Sequence, residues 1–238
     1  MGEPEHLHMT YNDIHKIIEN SAKTIAAEFK PDLFIAIGGG QVFGFFPARV
    51  MVSNLVSVHA TLYRYASSCT IPKRTFLKDS TTKRNIPIYA IGLSLYEELP
   101  GTTAEQVGNQ VIRTQWLGPE SGNTLLGRRV LIVDEVDDTR KTLHYAISEL
   151  QADVEREIAS LPEGEREAKR TKFAVFVVHN KLKPKLGALP DNVPYYAGEN
   201  TEDLWLDYPW EASNIDEHDR IADEEKASGK YKSAIKDA

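Results

Sequence analysis

Apolar residues at Ile14, Ile17, Ile18, Ala22, Ile25, Ala26 and Phe29 recur at the spacing of one helix face, and Pro31 stops the run. The pattern predicts an amphipathic helix over 10–29. "DLFIAI" follows as a buried strand, Gly38 to Gly40 break it, and "FPARVMV" opens a second helix with Pro47 near its first turn. Four further apolar or β-branched runs, "IPIYAIGL", "NQVIRTQWL", "RRVLIVD" and "KFAVFVV", read as strands, with a helical stretch over about 142–160 between the last two. Strands alternating with helices predict an α/β fold with a largely parallel sheet, in a single domain. "LPEGEREAKR" is too charged for a core and reads as a solvated helix end or loop; "KLKPKLGALPDNVP" is a Pro- and Gly-punctuated excursion. The polar segment 212–238 reads as a surface helix and a frayed tail.

Composition narrows what such a fold can bind. The chain has 238 residues and a formal net charge of -7, from 28 basic and 35 acidic side chains, which disfavours a nucleic-acid reader built on a broad basic face. Any phosphate site must be positive locally. The single cysteine, Cys69, excludes an internal disulfide framework and a cysteine metal cluster, and so points to a reducing, cytoplasmic setting. No apolar run approaches the roughly 20 residues of a spanning helix, and "MGEPEHLHMTYND" lacks a charged-then-apolar leader, so no membrane partner is expected.

The chemistry concentrates in "VLIVDEVDDTRKTL", Val130 to Leu143. Four apolar residues run into Asp134, Glu135, Asp137 and Asp138, then into Thr139, Arg140, Lys141 and Thr142. Each close pair of like charges costs roughly 1 kcal/mol even in water, so a cationic or hydroxyl-rich partner is called for. At the carboxyl end of a parallel strand, Asp134 and Glu135 are placed to accept hydrogen bonds from the hydroxyls of a ribose. Thr139, Lys141, Thr142 and the start of the next helix offer donors to a phosphate. A solvated edge followed by a helix cap would explain Asp134 alone. It does not call for a run of carboxylates followed by "DTRKT". No Gly-x-x-x-x-Gly-Lys-Ser/Thr loop occurs, which disfavours nucleoside triphosphate hydrolysis.

"VLIVDEVDDTRKT" resembles the phosphoribosyl pyrophosphate (PRPP) motif of type I phosphoribosyltransferases, whose common form is two acidic residues, two variable positions and Asp-Thr-Gly-x-Thr. That resemblance implies a central, mostly parallel sheet flanked by helices, with a small C-terminal hood for the base. It implies that Asp134 and Glu135 hold the ribose hydroxyls, while Asp138, Thr139, Arg140, Lys141 and Thr142 form the loop around the 5-phosphate. Arg140 stands where the family usually has glycine. "WLDYPWE", Trp205 to Glu211, is similar to the base-recognition segment of xanthine and guanine phosphoribosyltransferases. Trp205 would stack on the purine, with Leu206 and Glu211 beside it. Lys181 matches the lysine that meets the purine's exocyclic oxygen, and Gly38, Gly39 and Gly40 match the pyrophosphate loop. Ser94 and Tyr96 match the mobile loop, and Arg113 is placed to meet pyrophosphate. Read without the family, Trp205 and Trp210 leave an ordinary core-aromatic reading open, and Lys181 leaves open that of a surface lysine in a basic loop with Lys183 and Lys185.

The resemblance runs from Tyr11 to Glu211, and "YNDIH", "LSLYEEL", "RTQWL", "TLHYA" and "YPWE" especially resemble fungal-type hypoxanthine-guanine and xanthine phosphoribosyltransferases. Val52 to Lys73 interrupts it, either as a surface loop or as a gene-model artefact such as a retained intron. The implied reaction joins xanthine, hypoxanthine or guanine to PRPP and releases pyrophosphate, with Asp138 as general base. Mg²⁺ is the implied cofactor, held by Asp134, Glu135 and Glu211 directly or through water or substrate. The family also implies a homo-oligomer, dimer or tetramer. Two other readings stay open: a non-catalytic module that senses PRPP or a purine, and a phosphoribosyltransferase for another nucleobase. His144 and His179 have no metal-ligand spacing and read as helix or core residues.

Overall fold

The computed structural model describes residues 5–39, 86–95, 111–117 and 125–230. Gly40, the helix expected at "FPARVMV", the insertion at 52–73, Tyr96 and the tail beyond 230 lie outside the described residues. The first predicted helix is α1, Tyr11–Glu28. Thr10 caps it: its Oγ accepts the Asp13 N–H at 3.2 Å while Asp13 Oδ2 accepts the Thr10 N–H at 2.9 Å, a reciprocal box worth about 1 kcal/mol. Isoleucine is an indifferent helix former. Burial of Ile14, Ile17, Ile18 and Ile25, at roughly 1.5–3 kcal/mol each, outweighs that.

Among the described residues six strands form the main sheet, in the order β4-β3-β2-β5-β6-β7. They are β2 (Leu33–Gly39), β3 (Ile88–Leu95), β4 (Val111–Gln115), β5 (Arg129–Asp137), β6 (Lys172–Lys181) and β7 (Tyr195–Thr201). The pairings are parallel except that of β3 with β4, which is antiparallel. From β2 the chain winds outward through β3 to β4, then returns to the other side of β2 with β5. The β2–β5 boundary is therefore the topological switch point, where open parallel sheets bind ligands at their carboxyl edge.

Side-chain alternation divides the core into two faces. Phe34, Leu131, Val133, Phe176 and Val178 face α1. Leu33, Ile35, Ile132, Val175 and Val177 face α2, Lys141–Ser160, which buries Leu143, Ala146, Ile147, Leu150, Val154 and Ile158. The charged "LPEGEREAKR" forms a short α3, Glu163–Arg166, and a 3-10 turn at Glu167–Lys169, with no buried side chain.

Two features depart from the sequence pattern. β7 begins directly after the Pro- and Gly-punctuated excursion, over a stretch that the sequence pattern leaves unassigned. At the termini, β1 (His6–His8) pairs in parallel with β8 (Trp205–Asp207) as a separate two-stranded hood. The predicted C-terminal surface helix is α4, Ile215–Ala227, and it buries His218 and Ala222. It clamps β1: the His8 N–H donates to Glu225 Oε2 at 2.8 Å, and His218 Nε2 donates to the Met9 carbonyl at 2.9 Å. Among the described residues no helix is long and apolar enough to cross a membrane.

Candidate active site

The four carboxylates at the carboxyl end of β5 fall into two pairs with opposite surroundings. Asp137 is buried at 1% exposure and well compensated. Its Oδ2 accepts the Tyr195 hydroxyl at 2.8 Å and Arg140 Nε at 2.8 Å, and Lys185 Nζ lies 3.6 Å from Oδ1. Asp138 pairs with Lys183 at 2.6 Å and lies 3.7 Å from Lys181. Asp134 and Glu135 have acids for neighbours instead. Burial raises the Asp134 carboxyl well above its ordinary value, and the charge of Glu135 adds to it. Glu135 is pushed up to about 7, first by burial and then by the charge of Glu211. Two acids held in that state at a sheet's carboxyl edge are suited to hydroxyl donors or a cation.

The next turn leaves backbone donors free at the start of a helix. Arg140 has φ 67° and ψ 2°, the left-handed conformation that glycine tolerates best, and α2 begins directly after it without a side-chain cap. An uncapped helix N-terminus carries about half a unit of positive charge and free amide donors. The non-glycine conformation costs about 1–2 kcal/mol. The Arg140–Asp137 pair offsets it, because breaking a buried pair costs about 3–5 kcal/mol. Arg140 also lies over the Tyr195 ring at 4.6 Å. Thr139, Lys141 and Thr142 stand in this same turn, partly buried.

Parallel register brings the base-side candidates to the same edge. Asp137 pairs with Asn180, and Lys181 with Thr201. The Lys181 side chain is 13% exposed and 3.7 Å from Asp138, so the surface-lysine reading does not describe it. The two tryptophans separate. Trp210 is buried and stacked on Tyr208 at 4.5 Å, a core aromatic, whereas Trp205 is 54% exposed on the hood. Leu206 is buried in the α1-side core, so its side chain packs the hood. The hood sits near the acids: the Tyr208 hydroxyl is 3.3 Å from the Glu135 carbonyl, and the Tyr208 N–H lies 3.5 Å from Glu211 Oε2.

Gly38 and Gly39 end β2, paired with Gly92 and Leu93. Ser94 pairs with Ile112. Arg113 has partners other than an anion: Nε donates to the Tyr145 hydroxyl at 3.0 Å, Nη2 pairs with Glu149, and the guanidinium lies over Trp116 at 4.1 Å. That engagement ties β4 to α2 and disfavours Arg113 as the pyrophosphate ligand. His144 is exposed on α2 and His179 is buried in β6, as helix and core residues. Among the described residues no three His, Cys, Asp or Glu side chains converge as a metal cage.

Sequence reasoning gave no role to Asp137, Lys183, Lys185, Tyr195 or Tyr208. The lysines were visible as a basic "KLKPK"; what they pair with was not.

No family model matches the chain. It is 47% identical over 223 residues to a hypoxanthine-guanine phosphoribosyltransferase of Schizosaccharomyces pombe, covering 91% of this chain and 94% of that one. It is 43% identical over 239 residues to xanthine phosphoribosyltransferase 1 of Saccharomyces cerevisiae, covering 96% and 99%. Among solved structures, a hypothetical protein from Neisseria gonorrhoeae with bound ppGpp is 32% identical with a TM-score of 0.59, covering 94% of this chain and 99% of that one. A purine phosphoribosyltransferase from Pyrococcus horikoshii, 20% identical with a TM-score of 0.50 over 88% and 97%, shares the fold.

Proposed function

The chain belongs to the purine phosphoribosyltransferases, beside the hypoxanthine-guanine and xanthine enzymes of yeasts, and from that premise we propose that it joins xanthine, hypoxanthine or guanine to PRPP with release of pyrophosphate. The observation that carries the reading is the meeting of Lys181 with Asp138 at 3.7 Å, beside the uncapped start of α2. A base-edge cation, a proton acceptor and a phosphate cradle thus share one edge of the sheet.

Asp134 and Glu135 accept the ribose hydroxyls, and the turn from Asp138 to Thr142 receives the 5-phosphate on its amides and hydroxyls. Gly38 and Gly39, ending β2 at the switch point, admit pyrophosphate close to the backbone. Trp205 stacks on the purine, which contributes about 1–3 kcal/mol and tolerates different bases. Selection therefore falls to Lys181, whose ammonium donates to an oxo group and has no acceptor for an amino group. Asp138 accepts the ring proton as the nitrogen attacks the anomeric carbon, a role worth about 10² to 10⁴ in rate.

The oxygen donors Asp134, Glu135 and Glu211 fit Mg²⁺, a hard cation that takes one or two carboxylates and completes its shell from substrate phosphates. The mutual repulsion of Glu135 and Glu211 supports this. Held by Asp134, Glu135 and Glu211, Mg²⁺ would supply positive charge for the pyrophosphate of PRPP. The enzyme is proposed to act in the cytoplasm as a homo-oligomer, dimer or tetramer.

Incubation of the purified protein with PRPP, Mg²⁺ and each nucleobase in turn tests the reading. Nucleotides are expected from the three oxopurines and not from adenine. Efficient adenine conversion would remove Lys181 from its role, and PRPP binding without any nucleotide would favour the sensor.

A further inference from the structure

The loop after β6 is fastened to the loop after β5 by contacts that neither the phosphate cradle nor the base edge requires. Lys185 Nζ donates to the main-chain oxygens of Asp137 at 2.7 Å, Asp138 at 2.8 Å and Lys181 at 2.9 Å. The Leu186 N–H donates to the Thr139 carbonyl at 2.9 Å. His144 Nδ1 donates to the Ala188 carbonyl at 2.6 Å. At Gly187 the two chains come so near that a Cβ would stand 2.7 Å from the Arg140 carbonyl and 2.8 Å from His144 Cβ.

Lys185 differs from its neighbours in that loop. Lys183 pairs with two carboxylates, Asp138 and Asp203, as a surface lysine does. The Lys185 side chain is 16% exposed, and an ammonium has three N–H donors to set against three carbonyls. With those donors engaged, it is poorly placed to bind phosphate or base itself. Its three acceptors belong to the residue that carries the base-edge ammonium, to the last residue of β5 and to the one that opens the phosphate loop.

We propose that Lys185 is a positioning residue, a cross-tie that makes the purine-edge loop and the ribose-phosphate loop move as one unit, so that filling the phosphate site sets Lys181 for the base. The proposal rests on the assignments of Lys181 and Asp138 given above. Displacing a recognition group by about 1 Å is enough to cost on the order of 10²-fold in rate. A tie at Lys181's own carbonyl prevents that displacement.

Hydrogen–deuterium exchange with and without PRPP and Mg²⁺, on the full chain, decides it. In the unaltered protein PRPP is expected to slow exchange over both 138–142 and 182–187. In Lys185→Met it is expected to slow 138–142 alone, while kcat/KM for guanine falls roughly 10- to 100-fold and calorimetric PRPP affinity changes little. Equal protection of 182–187 in the variant would overturn the proposal, and so would its absence in the unaltered protein. Lys185→Gln, which keeps a polar donor, serves where the methionine variant does not fold, with the same outcomes deciding. A protein that binds PRPP yet makes no nucleotide defeats the enzymatic reading, while the exchange pattern still decides for Lys185.

Discussion

Arg140 occupies a left-handed turn without being glycine, and the side chain that makes the position costly also secures it. Arginine at this point of "DDTRKT" looks in the sequence like a departure from the phosphate-loop pattern. In the structure its guanidinium reaches back to Asp137 at 2.8 Å and lies against Tyr195. Arg140→Gly would relieve about 1–2 kcal/mol of backbone cost and remove a charged partner of a buried carboxylate, worth about 3–5 kcal/mol. Tyr195 and Lys185 remain as partial compensation. The net expectation is a loss of about 1–3 kcal/mol, read as a lower urea midpoint with unchanged slope. A glycine variant more stable than the parent would show that the turn is secured by something other than the Asp137 pair.

β7 meets α1 across Gly198. A Cβ there would press on Ile17 Cγ2 and stand 2.6 Å from the Val178 carbonyl, so Gly198→Ala must push the helix off the strand. The expected destabilisation is about 1–3 kcal/mol, whereas Gly164→Ala, with nothing within 4 Å, should stay within about 0.5 kcal/mol. Parallel denaturation of the two variants checks the contrast, and equal effects would refute the close packing. The same glycine explains why this strand was not legible: "YYAGENT" has a glycine where a strand usually packs a side chain, and Ile17, the reason for it, is far away in sequence. By contrast α1, predicted over 10–29 and found at Tyr11–Glu28, carries its own period and cap. The run from Asp134 to Thr142 was legible for the same reason, being contiguous. The tie through Lys185 and Tyr195 was not, because each meets Asp137 only once β6 and β7 are laid beside β5. β1 and β8, three residues each, depend on a partner at the other end of the chain.

The whole molecule closes where the hood seats on the sheet, through Tyr208 stacked on Trp210 and set 2.9 Å from His179 Nδ1. That seam carries a pH dependence whose sign follows from burial. His179 is pulled down from 6.5 to about 4 because burial disfavours its charged form. Between those values the unfolded chain takes up a proton that the folded chain refuses. Its contribution to stability is therefore complete above about pH 6.5 and lost as pH falls toward 4. Asp134 and Glu135 act in the opposite sense: their raised carboxyls hold protons that the unfolded chain has released, so their contribution declines as pH rises, for Glu135 up to about 7. The two trends overlap, and an unaltered protein would show only their sum. His179→Gln removes one of them. The difference in unfolding free energy between the parent and His179→Gln should shrink by roughly 2–3 kcal/mol on passing from about pH 7.5 to about pH 4. Urea titrations of both proteins at the two pH values measure it. A difference that does not change with pH would mean that His179 takes its proton in the folded state as readily as in the unfolded one, and that the seam under the hood is wet.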